Sequence, residues 1–146
     1  MMKLSTKGRY ATRIMLYLAV HSGGVPSRKQ EIAESESISA DYVEQILIRL
    51  KAAGLVVSHR GAKGGFALAR PAGDVTVADI LLATEGPMTM VPCAAEGCLR
   101  ATGCVTREIW QEAQDALECM FRGKTLASLV RREREIRGAA TITYSI

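Results

Sequence analysis

Histidine and aromatic side chains are scarce in this chain of 146 residues, which has two histidines and 5% Phe, Trp and Tyr. His21 and His59 are its only imidazoles, and neither belongs to a nucleophile–base pattern or a His-Glu-x-x-His helix. A dinucleotide-binding glycine fingerprint is missing as well, so the sequence argues against an enzyme. The longest apolar run, residues 14–20, has seven residues, against the roughly 20 that a membrane-spanning helix needs. The opening Met-Met-Lys-Leu-Ser-Thr-Lys-Gly-Arg lacks the apolar centre of a secretory signal, so a cytoplasmic protein with no membrane partner is expected. The composition, 48% hydrophobic and 23% charged, excludes collagen-like and disordered chains and suits one compact domain that needs no cross-links. In a reducing compartment the four cysteines, Cys93, Cys98, Cys104 and Cys119, read as metal ligands or redox thiols rather than structural disulfides.

What the chain does have is charge, unevenly placed. Residues 1–70 carry eleven Lys and Arg against five acids, a net of +6, whereas the remainder carries eight basic and ten acidic residues, a net of −2. A cationic half points to a polyanionic partner.

Helical periodicity organises that half. Tyr10, Ile14 and Leu18, with Ala11, Met15 and Ala19 beside them, form an apolar stripe on a first helix over residues 6–21. Ser27 and Gln30 have the spacing of a capping box for a short second helix ending near Ser35. Ser39 caps a third helix whose Val43, Ile46, Leu47 and Leu50 make a narrow apolar arc, and Gly54 stands where a left-handed residue would end it. Residues 55–58 and 66–69 then read as two strands around a glycine-rich basic tip. Two short helices and a hairpin in this order predict a mainly α fold with a small β-hairpin wing, a winged helix-turn-helix. Thr76 and Asp79 cap a further helix that stops at Gly86-Pro87. Residues 86–104 show no periodicity and hold three of the four cysteines. A long helix follows from Val105, on which Ile109, Ala113, Ala116 and Met120, widened by Trp110, Leu117 and Phe121, form a face too broad for one small domain to bury. That face is expected to pack against a second subunit. A last helix from Thr125 turns Leu126, Leu129 and Val130 inward. The expected organisation is a DNA-binding unit over 1–85, a cysteine loop over 86–104, dimerisation helices over 105–137 and a flexible tail over 138–146.

On the third helix, Asp41, Glu44, Gln45, Ile48 and Ala52 fall opposite the apolar arc and are the candidates for base contact, with Tyr42 and Arg49 on a flank suited to phosphates. Glutamine can pair bidentately with adenine and a carboxylate can accept from cytosine; two acids on this face would repel phosphates and so reject wrong sequences. At the hairpin tip Gly61, Gly64 and Gly65 allow close backbone approach to a phosphate or a narrow groove, while Arg60 and Lys63 supply charge.

The cysteines follow Cys93-x4-Cys98-x5-Cys104, each preceded by Pro92, Gly97 or Gly103 at a bend. Three thiolates from one irregular loop suit an iron–sulfur cluster, whereas a structural zinc site would show closer Cys pairs and a fourth Cys or His nearby. Cys119 lies fifteen residues past Cys104, about 22 Å along a helix, too far to join them, and reads as a small buried residue.

Residues 2–10, the stretch Tyr42-Val43-Glu44-Gln45, Arg60-Gly61 with Gly64-Gly65, and the three loop cysteines ahead of Trp110 together resemble the Rrf family of bacterial winged-helix repressors, especially its iron–sulfur and nitric-oxide sensors. The likeness extends over residues 2–136. It implies a homodimeric repressor on a pseudo-palindromic operator in double-stranded DNA, carrying an iron–sulfur cluster, 2Fe-2S or 4Fe-4S, on Cys93, Cys98 and Cys104 plus one further ligand. It places Glu44 and Gln45 at the base-reading pair and brings Lys3, Ser5, Lys7, Arg9 and Ser39 into the DNA-contacting set. Control of iron–sulfur biogenesis, or of a redox, nitrosative or sulfur response, follows from the same likeness. Two departures stand out. The first cysteine interval is one residue shorter than in the cluster sensors, and Arg107 and Arg9 occupy positions where relatives supply the fourth ligand. Guanidinium has no free lone pair, so that ligand falls to Glu96, Glu108, the other subunit or a small exogenous group. The competing reading is a clusterless thiol-redox module of the same family that regulates by docking a partner enzyme.

Overall fold

A computed structural model describes residues 3–143 apart from positions 22, 24 and 96. In chain order the elements are α1 (Thr6–Val20), α2 (Lys29–Glu36), α3 (Ala40–Ala52), strands β1 (Val56–His59) and β2 (Gly65–Leu68), a 3-10 turn (Ala72–Asp74), α4 (Val77–Glu85), α5 (Pro92–Ala95), α6 (Val105–Arg122) and α7 (Leu126–Thr143). This is the expected helical fold with a hairpin wing.

Local chemistry sets most boundaries. The Ser5 hydroxyl accepts from the Gly8 N–H at 3.1 Å and so caps α1. Ser39 caps α3 through the Tyr42 N–H at 3.2 Å, and Thr76 with Asp79 closes a reciprocal box at the start of α4. The second helix departs from expectation. Ser27 does not cap it, because its backbone N–H and C=O pair with the C=O and N–H of Phe66 at 2.9 and 2.7 Å. Ser27 is thereby an extra rung on the wing, and the cap moves to Arg28, whose N–H donates to the Glu31 carboxylate at 2.7 Å. The antiparallel wing runs from Val56 opposite Leu68 to His59 opposite Gly65. Gly65 is required there, since a Cβ would lie 2.5 Å from the Ser27 carbonyl oxygen.

The core of the head joins Ile14 and Met15 of α1, Ile32 of α2, Ile46, Leu47 and Leu50 of α3, Ile80 of α4 and Leu126 of α7, all essentially buried. The last contributor comes from the end of the chain. After α6 the chain returns to the head: the Val77 N–H donates to the Lys124 C=O, and the Leu126 N–H to the Val75 C=O, each at 2.9 Å. The last helix thus closes the core with Leu126 and Val130, two of the residues expected to turn inward. Replacing Leu126 with Ala is expected to cost about 2–5 kcal/mol of stability, a lost apolar side chain plus a cavity, measured by urea unfolding. α6 itself buries none of its residues. The segment 138–143, expected to be irregular, continues α7, while 144–146 lie outside the described residues. Inside the cysteine loop the short α5 is likewise additional to the sequence reading. No helix among the described residues is long and apolar enough to cross a membrane.

Candidate functional site

The solvent side of α3 carries Asp41, Glu44, Gln45, Ile48 and Arg49, all exposed, on the side away from buried Val43, Ile46, Leu47 and Leu50. Two of these surroundings were not legible in the periodicity. Glu44 is paired with Lys29, the first residue of α2, at 2.7 Å, and this bond raises the Lys29 pKa above its ordinary value. One of the two acids that would oppose phosphates is thus already matched by a cation. Tyr42 is half-buried, its ring edge-on to Tyr10 with centroids 6.0 Å apart, so the ring is committed to packing.

The wing is braced against both helices of the helix-turn-helix. The Arg28 guanidinium donates to the Ala62 carbonyl at the tip at 2.6 Å. The Lys51 ammonium, at the end of α3, donates to the Ser58 hydroxyl of β1 at 2.7 Å. With the Ser27–Phe66 pair these contacts hold the wing in a set position relative to α3, leaving Arg60 and Lys63 exposed at its tip. Gly64 sits in the tight tip turn, where a Cβ would approach the His59 carbonyl oxygen to 2.3 Å. Arg28, Lys29 and Lys51 are structural supports that pattern reading missed; their basic character was visible, their partners were not.

The leading segment is arranged differently from a simple cationic arm. Lys3 and Arg9 are exposed and Lys7 partly so. The Ser5 hydroxyl both caps α1 and donates to the Glu85 carboxylate at 2.7 Å, with the Ser5 N–H donating to the same oxygen at 3.2 Å. Ser5 therefore ties α1 to the end of α4, and Ser39 likewise spends its hydroxyl on a cap.

The cysteine loop leads into α6. Cys93 lies exposed on α5, Cys98 is partly exposed, and Cys104 occupies the cap position of α6. The Cys104 thiol is held below its ordinary pKa by the Thr106 hydroxyl, 3.3 Å away, and then by the Arg107 backbone N–H. In metal-free protein near neutral pH, Cys104 is expected to react with iodoacetamide ahead of Cys119, by mass spectrometry of the time course. Cys119 corrects the sequence reading: it is exposed on α6 rather than buried. In donor type and accessibility the three loop thiols fit a soft metal centre. In the conformation described they are not gathered, for among the described residues no three His, Cys, Asp or Glu side chains are placed to hold one metal ion. Arg107 is partly exposed and Glu108 exposed, and Glu96 lies outside the described residues. The start of the loop is anchored on α6, where the Met90 N–H donates to the Gln114 side chain at 3.3 Å. On the same helix Val105, Ile109, Trp110 and Met120 are 69%, 52%, 41% and 45% exposed, an apolar face that the described residues leave largely open.

A cationic head with a braced wing, a cysteine loop and a bare amphipathic helix has close counterparts. Residues 4–132 match the Rrf2 family, described as an iron-dependent transcriptional regulator. The protein rrf2 of Nitratidesulfovibrio vulgaris is 39% identical over 132 residues, covering 89% of this chain and 88% of its own. The HTH-type transcriptional regulator IscR of Yersinia pseudotuberculosis is 35% identical over 133 residues, covering 90% of this chain and 81% of its own. Among solved structures, CymR, the global cysteine regulator of B. subtilis, superimposes with a TM-score of 0.80 at 36% identity, covering 90% of this chain and 98% of that one. The IscR of T. potens does so with a TM-score of 0.78 at 35% identity, covering 92% and 90%. These are regulators rather than enzymes, and the chain belongs to the Rrf2 family of winged-helix, DNA-binding transcriptional regulators.

Proposed function

We propose that this protein is a homodimeric repressor whose two heads dock on a pseudo-palindromic operator in double-stranded DNA, and whose operator affinity responds to an iron–sulfur cluster on Cys93, Cys98 and Cys104. The DNA part rests on the exposed face of α3 held in fixed relation to a basic wing tip, which suits one element for the major groove and one for the flanking groove. The DNA-contacting set is Asp41, Glu44, Gln45 and Arg49 with Tyr42 and Ser39 on α3, Arg60, Lys63 and Gly64 on the wing, and Lys3, Ser5, Lys7 and Arg9 at the leading end; for Tyr42, Ser5 and Ser39, whose packing or hydroxyls are engaged, the role is to position the backbone.

The cluster part rests on accessible thiols in a loop that joins the helix with the bare apolar face. A bound cluster would supply iron–thiolate bonds tying three distant points of the loop together. The loop's own residues transmit order: Met90 is held to Gln114 of α6 and Cys104 begins that helix, so the state of the loop bears on the helix that would set the distance between two heads. A coupling of about 1–3 kcal/mol is the ordinary scale for such linkage. Control of iron–sulfur biogenesis or of a redox or sulfur response is the corresponding physiological reading. The clusterless alternative, a thiol-redox module that docks a partner enzyme, is favoured by the separated cysteines and by the likeness to a global cysteine regulator.

Anaerobic isolation decides between them. Brown protein with iron and sulfide in stoichiometric ratio, colourless as Cys98→Ala, and an operator affinity that changes when the cluster is removed are the expected results. Colourless wild-type protein without iron, still retarding operator DNA, establishes the clusterless reading instead.

A further inference from the structure

Ile48 is 62% exposed on α3, on a face otherwise lined by Asp41, Glu44, Gln45 and Arg49. The other large apolar residues exposed on helices lie elsewhere, chiefly on α6. Single exposed aliphatics are common on proteins, but the position of this one is specific. At 100° per residue Ile48 falls within about 60° of both Glu44 and Gln45 and almost in line with Asp41, one heptad earlier. It is therefore at the middle of the face that carries the hydrogen-bonding candidates, pointing away from the core arc. The surrounding head is cationic, which complements a phosphate duplex. Neighbouring Glu44 is held by Lys29 at 2.7 Å.

The major groove offers one apolar group, the C5-methyl of thymine, and a branched aliphatic side chain is its natural partner. Along the helix axis Ile48 lies about 4.5 Å beyond Gln45, close to the roughly 3.4 Å step between base pairs. We infer that Ile48 is a specificity determinant that packs on a thymine methyl one base-pair step from the position read by Gln45, so that each half-site requires a T there. The assignment rests on the DNA-docking reading above and adds to it the chemistry of one base.

Uracil substitution tests it at the level of a single methyl. Operator duplexes in which each thymine in turn is replaced by deoxyuridine are compared for affinity with the full-length dimer. At one symmetry-related position, next to that affected by Gln45→Ala, the loss is expected to be about four-fold per half-site, the worth of one buried methyl. Ile48→Ala should bind thymine and uracil duplexes equally at that position, and Ile48→Val should retain most of the preference. An exposed site tolerates both changes, and an unchanged circular dichroism melt checks this. A wild-type protein indifferent to uracil everywhere, or a penalty that survives in Ile48→Ala, overturns the assignment while leaving DNA binding intact. A protein that retards no operator fragment overturns the docking reading itself, and this assignment with it.

Discussion

Replacing Gln45 with Ala is expected to lower operator affinity by roughly thirty-fold or more, because a bidentate base contact contributes about 1–3 kcal/mol and a symmetric dimer loses two of them. Affinity for random DNA should stay nearly constant. Gln45 is exposed on α3 and, among the described residues, has no hydrogen-bonded partner that its loss would strand, so the folded head should be as stable as before. Lys63→Ala is the internal control. An ammonium at the wing tip that meets phosphate acts on every sequence alike, so this variant should weaken operator and random DNA together and reduce the salt slope by about one charge per subunit. Competition titrations at several salt concentrations separate the two behaviours. Equal loss on both DNAs for Gln45→Ala would mean that α3 does not read bases.

Ile109→Glu is expected to convert the protein to a monomer and to reduce operator binding to near the level of random DNA. The residue is 52% exposed in the single chain, on the same helix as Trp110, Met120 and Val105, and no residue of α6 is fully buried within its own subunit. The change should therefore leave the monomer's stability close to that of the wild type. In a dimer that covers this face, two carboxylates would enter an apolar interface without partners, at several kcal/mol each. Sedimentation velocity reads the mass, and gel retardation reads the loss of the second half-site. A variant that remains dimeric places the interface on another face and removes α6 from the proposed coupling between loop and heads.

Much of this architecture was legible along the chain because the signals are local. Ser39 and Thr76 announce helix starts through hydroxyls that reach only a few residues. The arc Val43, Ile46, Leu47 and Leu50 is buried as its spacing requires. Ser27 shows where such reasoning stops: its spacing to Gln30 was sound as a capping signal, but two backbone bonds to Phe66, nearly forty residues on, outcompete it. Cys119 shows the same limit for burial. A small thiol on an amphipathic helix looks internal when the helix is assumed to be covered, and within the single chain no residue of α6 is fully buried.

The sequence by itself determined the order of helices and hairpin, the cationic head, the cysteine spacing and the family, since periodicity, capping and charge are properties of neighbouring residues. Tertiary structure alone decided that Arg28 and Lys51 brace the wing, that Lys29 holds Glu44, that the backbone around Leu126 pairs with that around Val75, and that the loop thiols stand apart in this conformation. Each of these is a contact between residues distant in the chain, and such contacts depend on how whole elements pack, which no local pattern of side chains specifies.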